Sequence, residues 1–110
     1  MKVIPIAYPD GTALSRELFS LGVPEGSTLE IGTASFPAGA RSPMEGFHVR
    51  SSHEVSFILE GAFDTECGGV SRVVRAGELV SIPAGEPNAS RALSNSRVIY
   101  LMYKAAGSPK

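Results

Sequence analysis

Glycine and proline break this chain so often that little room is left for helices. Twelve glycines and eight prolines are spread along 110 residues. Each one either costs a helix interior stability or removes a ladder donor, so the runs between them stay short. Those runs are rich in β-branched and aromatic residues, the pattern of many short strands joined by turns. Strands are expected over residues 27–36, 46–50, 54–59, 62–67, 70–75, 78–82, 88–93 and 97–103, after an opening strand over 2–6 that stops at Pro9-Asp10-Gly11. Gly68-Gly69 reads as a tight hairpin turn. One stretch departs from this pattern. Leu14, Leu18 and Leu21 are spaced as on a helix, and Gly22 and Pro24 would end it. At most one short helix, over residues 12–21, is therefore expected. The tail from Ala105 to Lys110 is small and polar, and no internal repeat is visible.

Eight or nine strands in so short a chain must hide their edges, and a closed barrel or a double-sheet jelly roll does so. The length suits one domain, residues 1–110. In the last strand Val98, Tyr100 and Met102 alternate with Ile99, Leu101 and Tyr103, and both sets are apolar. Such a strand is covered on both faces. The outer cover is expected to be a second subunit, giving a homodimer; a second sheet of the same chain is the alternative.

Charge and composition remove several classes of function. The formal net charge is −1, so there is no electrostatic footprint for nucleic acid. No apolar run reaches the roughly 18 residues of a membrane span, and the first residues show no apolar export core. A cytoplasmic protein without a membrane or nucleic-acid partner is the expectation. Cys67 is the one cysteine, which excludes an intrachain disulfide framework and a cysteine-built zinc site. It is expected to be an inert packed thiol. Met44 and Phe47 are read as packing residues near a pocket rim.

Both histidines lie in one segment, Gly46 to Gly61. Period-2 geometry puts His48 and Arg50 on one strand face, and Glu54, Ser56 and Ile58 on one face of the next. Turned inward, these faces bring an imidazole, a guanidinium and a carboxylate to one wall. Asn88, after the Pro83-Ala84-Gly85 turn, is placed to join them from a neighbouring strand.

Two spacings here resemble the paired motifs of the cupin superfamily. In the first, His48 stands two residues before Arg50, three residues separate Arg50 from Glu54, and six separate Glu54 from Gly61. In the second, five residues separate Gly77 from Pro83, Gly85 follows, and two residues separate Gly85 from Asn88. His48, Glu54, Gly61, Gly77, Pro83 and Gly85 match. Arg50 stands where the superfamily has its second histidine, Asn88 where it has its third, and Ala92 where it has an asparagine. Gly46 lies too close to His48 to be the leading glycine. The resemblance implies an RmlC-like double-stranded β-helix, an all-β jelly-roll barrel. It also implies one divalent metal, Fe, Mn, Ni or Zn, with His48 and Glu54 as the matched ligands; Asn88 would add only a carbonyl oxygen, and His53 a nitrogen if a bulge turns it inward.

Arg50 works against that metal, because a guanidinium has no lone pair to give and repels a dication. Three readings therefore stay open. In the first, the barrel binds a small acidic metabolite without metal: Arg50, Asn88 and Tyr100 hold it, while His48 and Glu54 do the acid–base chemistry of an isomerase, epimerase or lyase. Glu54 would then orient His48 or serve as acid, with Tyr100 or Tyr103 as a further partner. The second is a metal-dependent dioxygenase or isomerase, and the third a non-catalytic ligand-binding or regulatory protein in which Arg50 and Glu54 neutralise each other.

Overall fold

A computed structural model describes residues 4, 7–10, 14–21 and 24–105. Among these residues it contains nine strands and no helix: β1 (Ser15–Leu21), β2 (Thr28–Phe36), β3 (Arg41–Ser42), β4 (His53–Glu60), β5 (Ala62–Cys67), β6 (Val70–Arg75), β7 (Leu79–Ile82), β8 (Asn88–Ala92) and β9 (Ser96–Lys104). Two antiparallel sheets face each other, ordered β1-β2-β9-β4-β7 and β3-β8-β5-β6. The chain crosses between them from β3 onward, as in a jelly roll.

Local chemistry explains most of the strand boundaries. Gly68 and Gly69 have φ of 57° and 81°. Two successive positive φ values make the tight turn whose twist suits a hairpin, and it pairs Cys67 with Val70. The segment 46–50 is not a strand. Only His48 pairs there, in an isolated antiparallel bridge with Asn88. The two-residue β3, between Pro37 and Pro43, is too short to leave a periodic signal.

The helix expected over residues 12–21 is a strand across its described part. β1 pairs antiparallel with β2, with a register shift between Glu17 and Phe19. Leu18 sits in that bulge, which inserts one residue and shifts the alternation. The leucine spacing that imitates a helix is therefore a strand interrupted by a bulge. A lone helix of this length is marginal in water, whereas the open edge of β2 offers a full ladder of hydrogen bonds. The opening strand expected over 2–6 falls outside the described residues except for Ile4, which belongs to no strand.

The register of the first sheet builds the cup. Three inward rows cross β4, β9 and β2: Ile58–Val98–Ala34, Ser56–Tyr100–Gly32 and Glu54–Met102–Glu30. The first row joins Phe63 and Ala92 of the second sheet in the buried core, with Phe36 and Val74 packed against it. Phe36 and Phe63 meet edge to face, their centroids 5.2 Å apart. Successive rows thus run from an apolar end to a polar one. On the outer face, Ile99, Leu101 and Tyr103 are half-buried while Phe57 and Leu79 are 42% and 53% exposed. The N-terminal stretch covers one end of that face: Thr33 donates to the Ala7 carbonyl at 2.6 Å, and the Arg97 guanidinium lies 4.5 Å over the Tyr8 ring.

Candidate functional site

The two sheets enclose a cavity of about 270 Å³. Ile58, Phe63, Val74, Val80 and Val98 make its apolar part; Ser42, His48, Arg50, Glu54, Ser56, Asn88, Tyr100 and Glu30 give it polar walls. Apolar walls with a few convergent polar groups are what a small-molecule site needs.

His48, Arg50, Glu54, Asn88 and Tyr100 all line this one cavity. His53 does not. It starts β4 one residue before Glu54, and strand alternation turns it away. No bulge brings it inward, since the irregularity in β4 lies between Ile58 and Glu60. Its Nδ1 instead accepts from the Ala84 N–H at 3.3 Å. The same turn donates from Gly85 N to the Arg50 carbonyl at 2.8 Å. The Pro83-Ala84-Gly85 turn therefore anchors the segment that carries Arg50 and Glu54. Tyr103 shares the outward parity of His53, its register partner. Of the two tyrosines considered for the cavity, only Tyr100 reaches it.

Glu54 is held from two sides. Arg50 Nη1 donates to Oε1 at 3.1 Å and Ser56 Oγ to Oε2 at 2.9 Å. The ion pair is half-buried, with side-chain exposures of 31% for Arg50 and 18% for Glu54. Glu54 does not orient His48. Ser42 does so, its Oγ lying 3.0 Å from Nε2. The His48 main chain is fixed by reciprocal bonds with Asn88, 2.8 Å to the Asn88 carbonyl and 2.9 Å back. Burial lowers the His48 pKa below its ordinary 6.5, and Arg50 and Arg41 push the same way against Glu54. The imidazole is therefore neutral at pH 7.

Asn88 ties its amide nitrogen to backbone. Its Nδ2 donates to the carbonyls of Glu86 at 3.2 Å and His48 at 3.4 Å. Tyr100 donates its hydroxyl to Glu30 Oε2 at 2.9 Å. Burial, then that bond, raise the phenol pKa far above its ordinary value, so Tyr100 acts as a donor and not as a phenolate base. Met44 is 87% exposed, so it does not pack as expected. Phe47 is exposed too, its ring 5.6 Å beneath the Arg41 guanidinium. Cys67 is half-buried, and its thiol pKa is raised, first by burial and then by Glu86.

The donor set does not fit the metal that the superfamily resemblance implies. Among the described residues no group of three or more histidine, cysteine or acidic side chains is placed to hold an ion. Of the expected ligands, His53 faces away and Glu54 already carries a guanidinium, which leaves His48 and the neutral amide oxygen of Asn88, a weak donor.

Ser42 and Glu30 complete the site beyond the residues singled out from sequence, and Ser56, placed on the Glu54 face but given no role, joins them. Ser56 shares its strand face with Glu54, so alternation alone finds it. Glu30 had a weaker signal, a charged residue in phase with Gly32, Ala34 and Phe36. Ser42, in a two-residue strand, had none.

A cupin domain profile matches residues 32–103. Among solved structures, a conserved protein of unknown function from Streptococcus pyogenes superposes with a TM-score of 0.71 at 22% identity, over 93% of this chain and 82% of that one. KdgF from Halomonas sp. gives 0.62 at 22% identity, over 81% and 88%. An RmlC-like cupin from Shewanella frigidimarina gives 0.62 at 18%, over 94% and 96%. At these identities the likeness is one of fold. No curated protein matches the sequence significantly. The profile spans well over half of the residues, and it carries the motif segments around Glu54 and Pro83, so this chain belongs to the cupin domain family.

Proposed function

We propose that the cup binds a small carboxylic acid without a metal and that His48 takes a proton from it. The observation that carries this reading is the neutral His48 imidazole, bonded to Ser42 and set beside Arg50 on the wall of one cavity. Glu54 occupies one of the guanidinium's five donors, and a carboxylate ligand would take others. A carboxylate held there has its α-carbon on the cavity side. Removal of an α-proton by the imidazole, relayed through the Ser42 hydroxyl, is the shared first step of acid–base isomerases, epimerases and lyases.

The test is hydrogen exchange in deuterium oxide. Short hydroxy acids are incubated with the protein, and loss of the α-proton signal is followed by NMR. Exchange that disappears in His48→Gln supports the reading. Exchange that survives unchanged in His48→Gln overturns it.

A second reading, ligand binding without catalysis, is favoured by one observation. Both Glu54 oxygens are already bonded, which leaves no free acid to complement His48. Arg50-dependent binding of carboxylates with no α-proton exchange would select this reading.

A further inference from the structure

The cavity holds a second charged site besides the Arg50–Glu54 pair. Glu30 lines it from β2, in the same register row as Glu54 with Met102 between them. Two strand spacings separate the backbones of Glu54 and Glu30, about 10 Å. Arg50 rests on Glu54 at β4, and Glu30 stands two strands away on the same sheet.

Glu30 is held but not neutralised. Tyr100 donates to Oε2 from a neutral hydroxyl, which fixes the carboxylate without cancelling its charge. No cation pairs with Glu30 among the described residues, where the ion pairs are Arg50–Glu54 and Arg97–Glu60. Gly32 makes the Tyr100 bond possible, because any side chain there would fill the path of the ring. Glu17, paired with Gly32 in the register, adds a further negative charge near the phenol.

Charge counting then sharpens the ligand. The described lining has one cation, Arg50, against two carboxylates, Glu54 and Glu30, while His48 is neutral. A simple anion would enter a cup whose net charge is already negative. A ligand that also carries an ammonium group cancels the excess at Glu30 while its carboxylate meets Arg50. We propose that the cup recognises a small zwitterion, an amino-substituted carboxylic acid with its carboxylate at Arg50 and its ammonium at Glu30. This rests on the reading of Arg50 as the carboxylate anchor. The volume, about nine waters' worth, admits a linear acid of a few carbons.

The test is calorimetric titration of the whole protein with matched probes: γ-aminobutyrate, butyrate and butylamine, and the same three forms with one and two further methylenes. At the best length the amino acid is expected to bind about tenfold tighter than its unsubstituted acid, as one added charge-assisted hydrogen bond gives. In Glu30→Gln that ratio falls to about one, and the unsubstituted acid binds at least as tightly as before, because one negative charge has left the cup. Butyrate binding retained in Glu30→Gln also checks that the variant folds. Equal affinity for amino and unsubstituted acids at every length overturns the proposal, as does a preference that survives in Glu30→Gln. The anchor is read separately. Butyrate binding that is lost in Arg50→Gln supports it, whereas Glu30-dependent butylamine binding without butyrate binding retains the Glu30 pole and refutes the Arg50 anchor.

Discussion

Alanine at position 32 brings two opposing effects against each other. Gly32 lies mid-strand in β2 with an ordinary φ, and glycine there costs roughly 0.5–1 kcal/mol relative to alanine in backbone entropy. On that ground alone Gly32→Ala stabilises the protein. The neighbours reverse the sign. A Cβ on Gly32 would stand 2.5 Å from the Tyr100 Cζ and 2.5 Å from the Arg16 carbonyl oxygen. The ring can swing aside only by giving up its bond to Glu30, a loss of roughly 1.5–3 kcal/mol for a bond to a charged group. The carbonyl cannot swing, so β1 must shift as well, and overpacking of this kind costs about 1–3 kcal/mol. The net expectation is a destabilisation of about 2–4 kcal/mol. Urea unfolding followed by far-ultraviolet circular dichroism measures it. A double-mutant cycle with Tyr100→Leu separates the causes, because a smaller side chain at 100 removes the ring collision but leaves the Arg16 one. A Gly32→Ala protein within 0.5 kcal/mol of the parent, or a cycle with no coupling, would refute the reasoning (the usual limit of additivity is about that size).

The remaining predictions concern charge and assembly. Because the folded His48 pKa lies below 6.5, its contribution to stability is complete above pH 6.5 and is lost as the pH falls from there through the folded value; unfolding midpoints at pH 7.5 and 5 should differ more in the parent than in His48→Gln, and an equal or reversed difference argues against it. Arg50→Met leaves Glu54 half-buried without its cation and should cost about 1–2 kcal/mol at pH 7; adding Glu54→Leu should recover most of this, and a neutral single substitution would show that the pair is idle. Elemental analysis after dialysis against zinc should find well under one ion per parent chain, whereas Arg50→His with Asn88→His should gain about one, as a three-histidine, one-glutamate set does; stoichiometric metal in the parent would contradict the donor geometry. We also propose that Phe57, Leu79, Ile99 and Leu101 face a second copy of the chain; sedimentation at micromolar concentration should give a dimer mass that Phe57→Asp lowers, and a monomeric parent rules this out.

The barrel was legible because its signals are local. Gly68-Gly69 specifies a hairpin turn, and the strands on either side, 62–67 and 70–75, have the bounds that the turn implies. β9 announced itself by being apolar on both faces, with Val98, Tyr100 and Met102 toward the cavity and Ile99, Leu101 and Tyr103 outward and half-buried. The failure at β1 has the opposite origin. Leu14, Leu18 and Leu21 carry a helical period only because a bulge at Leu18 breaks the strand's own period, and a bulge has no signature in residue types. The deciding influence was the exposed edge of β2, a partner that sequence spacing cannot display.

The site divides along the same line. Alternation placed Glu54, Ser56 and Ile58 on one face, and the structure has all three on the cavity wall. Partnership was not legible. His48 and Glu54 read as a natural acid–base couple, yet Glu54 belongs to Arg50 and Ser56, and His48 belongs to Ser42. The reason is that hydrogen-bond partners are chosen by register between strands far apart in sequence, such as β2 and β9, whose alignment brings Tyr100 beside Glu30 across seventy residues. One consequence extends to the motif itself. Its glycine and proline positions govern turns and are retained as turns, so the fold persists. Its ligand positions govern only side-chain chemistry, so replacing a histidine with Arg50 leaves the barrel intact while exchanging a site for a cation into a site with a cation of its own.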